Sequence, residues 1–483
     1  MITNDATLLK VKHEVLYEVA KLAYAGRLEE ERDSLPYKMV PGPQPAFRCC
    51  IYREREVIRQ RIRLAEGKAP GAEDDGNIVQ VINSACEGCP ISRYVVTDNC
   101  QKCMGKACQA ACRFGAISMG RDKSYIDPSK CKECGQCAKA CPYNAIADLV
   151  RPCMKSCPVD AISVADNGTG IAVINQDKCI QCGSCVHKCP FGAIGSKTFI
   201  VDIIKKMRSD IKVFAMLAPA TIGQFGADIT MASWRTALKK IGFYDVVDVS
   251  LGADMTAMNE AKEWIEAKEK GEKKTTSCCP AFKNYIEKHF PTLKDVISET
   301  VSPMCAASRY IKEKFPGAVT VFIGPCIAKK AESMSGEKDT ADYALTYGEI
   351  RAMLRAKGVK LEPEEDTDDQ GSIYGKKFAN AGGVTAAVLE SMKELGCTGD
   401  VSVCKCSGIT ECKKALTLMK VGRLPEDFIE GMVCEGGCVG GPSRHRDPNL
   451  AMRDRNAALA KSSDILIKDN LDKQNAETVD MIR

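Results

Sequence analysis

Twenty-eight cysteines stand in this 483-residue chain, and those between Cys86 and Cys189 recur at short, regular spacings. Thiols at that density either pair as disulfides or bind metal, and the compartment decides which. Residues Met1–Asp5 show no basic stretch leading into an apolar run, so no export signal is expected. No run of about 18 apolar residues suggests a membrane span. A cytoplasmic, reducing setting and metal ligation follow. Two blocks are regular: Cys131-x2-Cys134-x2-Cys137-x3-Cys141-Pro142 and Cys179-x2-Cys182-x2-Cys185-x3-Cys189-Pro190. Three thiolates at that spacing wrap one iron–sulfur cube, and the fourth, ahead of the proline, reaches a neighbouring cube. Soft sulfur donors suit such clusters.

The blocks belong to an internal repeat. Its copies end in Arg113-Phe114-Gly115-Ala116-Ile117, Pro142-Tyr143-Asn144-Ala145-Ile146, Pro158-Val159-Asp160-Ala161-Ile162 and Pro190-Phe191-Gly192-Ala193-Ile194. The arrangement resembles the bacterial two-cluster ferredoxin, duplicated. The first block is looser, Cys100-x2-Cys103-x4-Cys108-x3-Cys112, with Arg113 in place of proline. Cross-ligation then gives one cube on Cys100, Cys103, Cys108 and Cys141, and another on Cys131, Cys134, Cys137 and Cys112. The third block is cut down to Cys153-x3-Cys157-Pro158, and Cys86-x2-Cys89-Pro90 is an orphan pair with the missing spacing. If that pair folds back, Cys179, Cys182, Cys185 and Cys157 hold a third [4Fe-4S] cube, and Cys86, Cys89, Cys153 and Cys189 a fourth. The alternative is that the orphan pair binds something else and one site is vestigial.

Four segments are expected: an N-terminal helical region (1–85), the duplicated α+β feeder (86–197), an α/β domain (198–452) and a polar, partly helical tail (453–483). Helical periodicity runs from Leu8 to Glu31 and from Tyr52 to Glu66, with Pro41-Gly42-Pro43 between them and a linker-like stretch over 67–77. Val213–Leu217 and Val319–Ile323 read as buried strands, and Arg235–Ile241 and Thr385–Leu395 as helices. A net charge of +5 on this length gives no reason to expect nucleic acid.

Three phrases in the second half carry a more specific signal. They are Thr276-Ser277-Cys278-Cys279-Pro280-Ala281-Phe282, then Gly324-Pro325-Cys326-Ile327-Ala328-Lys329-Lys330-Ala331-Glu332, then Glu430-Gly431-Met432-Val433-Cys434-Glu435-Gly436-Gly437-Cys438-Val439-Gly440-Gly441-Pro442. In order and spacing they resemble the three signatures of iron-only ([FeFe]) hydrogenases, over about residues 200–450. The resemblance implies a two-lobed catalytic domain around an H-cluster: a [4Fe-4S] cube joined through one cysteine to a two-iron unit with CO, cyanide and an azadithiolate. Cys279, Cys326, Cys434 and Cys438 match the cube ligands, with Cys438 the bridge. Cys278 matches the proton-relay thiol, and Glu260, Ser298 and Glu263 its route to the surface. On residues alone, Cys278 is also readable as a small core residue, and the two glutamates, three apart on a helix, as a solvated face. Lys329 matches the lysine that donates to a cyanide. Ala218-Pro219-Ala220 matches the loop lining the cyanide side, and Met432 a methionine near the bridging carbonyl, or core filling. Glycines around Cys434 and Cys438 would let backbone approach the cofactor.

Gly324 stands where the best-known members have methionine, and Met304, after Ser302-Pro303, where they have glutamine; Gly441-Pro442 shortens the usual glycine run. These departures resemble the subgroup called group B. Cys404, Cys406 and Cys412, with Cys397 nearby, form an extra group open to metal binding, redox sensing or a structural role. The Arg48–Arg63 stretch, with Arg53, Arg55, Arg59, Arg61 and Arg63, suits either an acidic carrier or a solvated helix face. The implied activity is reversible 2H+ + 2e− = H2, with electrons exchanged through four accessory cubes with a ferredoxin-like carrier and the cofactor installed by maturation proteins. The rival classes are a non-catalytic hydrogenase-like iron–sulfur protein and a hydrogen sensor.

Overall fold

The computed structural model describes residues 7–71, 73–86, 89, 92–365, 370–397, 399–462 and 464–483. The region read for an export signal and Pro90 of the orphan pair lie outside them.

The feeder is two ferredoxin-like modules, nested and not in tandem. In the distal module Tyr94–Val96 pairs antiparallel with Ile146–Asp148, and Ile117–Met119 with Ser124–Ile126. In the proximal module Ile162–Val164 pairs with Ala172–Ile174, but the partner of Ile194–Ser196 is Val79–Val81, from upstream of the distal module. The proximal module is therefore interrupted by the distal one. This moves the feeder boundary from residue 86 to about residue 78, because Val79, Ile82 and Ala85 are buried in the proximal core with Ile162 and Ile194.

The second half holds two parallel sheets. One runs Asp245–Asp248, Val213–Leu217, Val319–Ile323, Tyr343–Leu345. The other runs Lys274–Thr275, Phe428–Met432, Val403–Ser407. Val213–Leu217 is buried along its whole length, which explains its unbroken apolar run: helices cover both faces of a parallel sheet. The helix expected at Arg235–Ile241 begins at Met231, where Thr230 and Ser233 form a reciprocal cap. The other expected helix is Gly383–Glu394. The helix Val249–Glu269, capped by Asp248, packs against Pro303–Lys314 and Gly383–Glu394 and carries Glu260 and Glu263.

The N-terminal helices Leu8–Ala25 and Ile51–Ala65 do not form a region of their own. Val15, Val19, Ile58 and Ile62 share one core with Ile204, Val213, Trp234 and Ile350. The stretch read as a linker is tied down, with Asp74 paired to Lys197. The tail boundary at 452/453 falls inside the helix Pro448–Leu459, and Ile467, Leu471, Val479 and Met481 are core residues. Composition hid this, because alternating buried and charged positions average to a polar segment.

Candidate cluster sites and active site

In the distal module, Cys100, Cys103, Cys108 and Cys141 line one cavity of about 380 Å³. Cys112, Cys131, Cys134 and Cys137 line another of about 320 Å³. In the proximal module Cys86, Cys153 and Cys189 are buried together. Burial pushes the Cys153 thiol up to about 11, with Cys189, Cys89 and Cys86 as the facing charges. Cys182 is likewise pushed up to about 12 by burial, then by Cys179 and Cys157, and Cys185 is raised with the same neighbours. The two distal sets thus each line one cavity, and in the proximal module Cys153 faces Cys86, Cys89 and Cys189, while Cys182 and Cys185 face Cys157 and Cys179.

The repeated phrase has a local cause. In each copy the alanine N–H donates to the sulfur of the cysteine four residues earlier: Ala116 to Cys112 and Ala145 to Cys141 at 3.4 Å, Ala161 to Cys157 and Ala193 to Cys189 at 3.2 Å. The residue before each alanine (Gly115, Asn144, Asp160, Gly192) is left-handed, which aims the amide back at the sulfur. Asn, Asp and Gly tolerate that conformation best.

A larger cavity, about 850 Å³, lies where the two sheets of the second half face each other. Its cysteines and loops follow the carboxyl ends of parallel strands, the usual place for a ligand in such folds. Ala218-Pro219 follows Val213–Leu217, Pro325-Cys326 follows Val319–Ile323, and Val433-Cys434 follows Phe428–Met432. Cys278, Cys279, Cys438, Lys329, Met432, Met304, Phe322 and Phe378 complete the walls, and Cys182 of the proximal module reaches the same space. Phe322 and Phe378 carried no motif and are legible only as neighbours of one that does, whereas Met304 is the departure noted after Ser302-Pro303.

Lys329 is buried, with Nζ 2.6 Å from Glu332, donating to Ser302 Oγ at 2.9 Å and to the Cys278 carbonyl at 3.4 Å. Burial alone lowers its pKa, but Glu332 outweighs that and the net shift is upward, so the ammonium persists. Ser302 stands behind Lys329 and caps the helix Pro303–Lys314. Pro219 is pinned by Arg455, which donates to its carbonyl at 2.5 Å and to Asn380 Oδ1 at 2.9 Å. Gly324 does not open space: a Cβ there would stand 2.8 Å from Phe322 and 2.9 Å from the Ala218 Cβ. Gly437, at φ 81°, approaches the backbone of Ala379 and Asn380, with a notional Cβ 2.5 Å from the Ala379 carbonyl oxygen. The expected close approach is thus backbone to backbone.

Behind Cys278 lie the route residues. The Cys278 thiol is held far above its ordinary range by burial and then by Glu260, so it stays protonated. Glu260 is fully buried and pushed up to about 8, by burial first and Glu263 second. Its oxygens make no hydrogen bond of normal geometry, although the Ser277 amide and Ser298 hydroxyl face them. The Ser298 hydroxyl donates to Glu263 at 2.6 Å, and Lys274 stands 3.5 Å from the other Glu263 oxygen. The glutamates are therefore not a solvated face.

Much of the arginine stretch is engaged within the chain, while Arg59 stays part-exposed on the helix face. Arg61 is buried and donates to the Gly192 carbonyl at 2.8 Å; Arg55 caps the Val40 and Pro41 carbonyls, Arg63 those of Ala69 and Gly71, and Arg59 pairs with Glu56. Cys404 and Cys406 have sulfurs 3.9 Å apart, and Cys412 donates to the Met432 carbonyl at 3.7 Å. Cys397 packs in a different core. Among the described residues no three metal-binding side chains converge as a single ion requires. The distal-module and lobe thiols line cavities, as a cube requires.

The fold and site define an iron–sulfur protein with a duplicated feeder and a two-lobed cysteine-lined centre. Residues 211–442 match the C-terminal domain of the iron only hydrogenase large subunit, 124–147 a 4Fe-4S binding domain and 151–193 a 4Fe-4S dicluster domain. The chain is 31% identical to iron hydrogenase 1 of Clostridium pasteurianum over 385 residues, covering 68% of this chain and 66% of that one. It is 29% identical to the periplasmic [Fe] hydrogenase large subunit of Nitratidesulfovibrio vulgaris over 305 residues, covering 51% and 72%. A solved [FeFe]-hydrogenase structure, HydA(deltaEFG), is 22% identical and covers 59% of this chain and 98% of that one, with a TM-score of 0.48. This chain belongs to the iron-only hydrogenase family, with an N-terminal iron–sulfur feeder.

Proposed function

We propose that the chain catalyses 2H+ + 2e− = H2 at an H-cluster held between its lobes. One observation carries the reading: a single cavity has the four thiols of Cys279, Cys326, Cys434 and Cys438 together with Cys278 and Lys329, in more than twice the space of either distal-module cavity. Four soft donors fit a cube, and the remaining volume beside a buried cation fits an anionic two-iron group. Burial and mutual repulsion penalise four bare thiolates in one place, a cost that bound iron removes. When bound, the H-cluster supplies the iron site at which protons and electrons combine.

The chain's own residues do the rest. Lys329 supplies positive charge at one wall, kept in place by Glu332 and Ser302. Ala218, Pro219, Met432, Met304, Phe322 and Phe378 present apolar surface and exclude water. Cys278, Glu260, Ser298 and Glu263 form a line of exchangeable protons from the cavity towards the surface. Cys182 reaches the cavity and couples the proximal module to it. The four cysteine sets described above would hold accessory cubes, which would supply a path for electrons to or from a ferredoxin-like carrier.

Maturation proteins deliver the two-iron unit, and a thiol-rich chain of this kind works in the reducing cytoplasm. The departures at Gly324 and Met304 fit the group B subgroup. The test is to supply the maturation machinery, record the CO and cyanide infrared bands, and assay hydrogen evolution from reduced ferredoxin. Protein carrying the full set of bands and evolving no hydrogen overturns the reading.

A further inference from the structure

The segment that ends in Arg483 pairs with the loop after Ser298. Val301 N–H donates to the Met481 carbonyl at 2.9 Å, Arg483 N–H to the Glu299 carbonyl at 3.1 Å, and Thr300 and Ile482 form an antiparallel bridge. Arg309 fixes the segment from below, donating to the Asp480 and Ile482 carbonyls at 2.7 and 2.8 Å. This pairing delivers the Arg483 side chain, 17% exposed, to the inner end of the proton route. Nη2 donates to the Ser277 carbonyl at 3.2 Å, one residue before Cys278, and Nε to the Thr300 carbonyl at 3.2 Å, two residues after Ser298. Nη1 stands 3.9 Å from Glu337.

Glu260 lies between the two loops so joined. The groups facing it are Glu263 on its own helix, the Ser277 amide and the Cys278 thiol on one loop, the Ser298 hydroxyl on the other, and Arg483. Lys274 is the other nearby cation, and its partner is Glu263. A fully buried carboxyl without a well-formed hydrogen bond is sensitive to any charge that faces it.

We propose that Arg483 is a positioning residue of the proton route: its guanidinium ties Ser277 to Thr300, holds the Cys278 turn against the Ser298 loop, and presents positive charge to the Glu260 carboxyl. The proposal rests on the hydrogenase reading of Cys278 and Glu260. A planar fork with several donors is suited to gripping two carbonyls at once, where a lysine offers charge without the grip.

The test uses full-length protein carrying its cubes, as wild type, Arg483→Gln and Arg483→Lys. The carboxylic C=O infrared band of Glu260, assigned by its loss in Glu260→Gln, is titrated against pH. Arg483 favours the charged carboxylate, so Arg483→Gln moves the midpoint up, by less than about one pH unit, and Arg483→Lys leaves it at the wild-type value. In protein that also carries the full CO and cyanide bands, Arg483→Gln lowers turnover about 10-fold. Arg483→Lys restores the pH profile but only part of the rate. An unmoved midpoint in Arg483→Gln overturns the proposal. If Arg483→Gln does not fold, Arg483→Lys decides: a wild-type midpoint with a reduced rate supports the role, and a wild-type rate overturns the grip. Wild-type protein with a full H-cluster and no hydrogen chemistry sinks the hydrogenase reading, while the infrared shift still reports on Arg483.

Discussion

Val81 stands opposite Ile194 in an antiparallel pair, and through that pair a strand from before the distal module closes the proximal one. The same segment carries Cys86, whose sulfur accepts the Ala172 N–H at 3.2 Å. Changing Cys86 and Cys89 together to Ser should therefore remove about four irons, one cube, and leave the others in place. Iron analysis with EPR of the reduced protein checks it. An unchanged iron count would show that the pair belongs to no cube.

Cys278→Ala removes a transferable proton and no cube ligand. Turnover should fall by about 10²–10⁴-fold with iron content and infrared bands unchanged. A variant that keeps near-wild-type rates would take Cys278 out of the route.

Glu260 gives a stability slope with a definite sign. Its carboxyl titrates at 4.5 when free and at about 8 in the fold. Between those values the folded state holds a proton that the unfolded state has lost, so stability falls as pH rises through this window. Glu260→Gln should flatten the slope and gain on the order of 1–3 kcal/mol at pH 8. Asp254, pushed up to about 7 by burial, leaves a smaller slope of the same sign. Melting temperature against pH for both proteins is the measurement; parallel curves would refute it.

Gly324→Met places side-chain atoms where Phe322 and Ala218 already stand. Overpacking of this kind costs about 1–3 kcal/mol. Because Ala218 lines the cavity, the CO and cyanide bands should shift as well. A variant with wild-type melting and unmoved bands would show that the loop yields freely.

The cysteine blocks that line the distal cavities were legible because the three thiols that start each set lie at short spacings, although the fourth comes from the other block. The buried strands Val213–Leu217 and Val319–Ile323 were legible for a similar reason, since burial on both faces leaves an unbroken apolar run. What escaped is tertiary. Nothing periodic announces that Arg61 will seek the Gly192 carbonyl or that Arg483 will arrive beside Ser277. Each contact joins residues whose types are ordinary and whose meaning comes only from where the chain returns. The nested order of the modules was half legible. The missing cysteine pair could be found, but a strand of three residues such as Val79–Val81 is too short to signal a partner more than a hundred residues away.

The distal module leaves and rejoins the chain at adjacent points: the Leu149 N–H donates to the Arg93 carbonyl at 2.6 Å, and Arg93 pairs with Asp148 at 2.7 Å. A module whose two ends meet behaves as a cassette. It can be gained, lost or exchanged by a single genetic event without breaking the strand pairing of its host. On the proposed function, the reach of the feeder is thus a quantity that can change in whole steps, leaving the cysteine-lined lobes as they are.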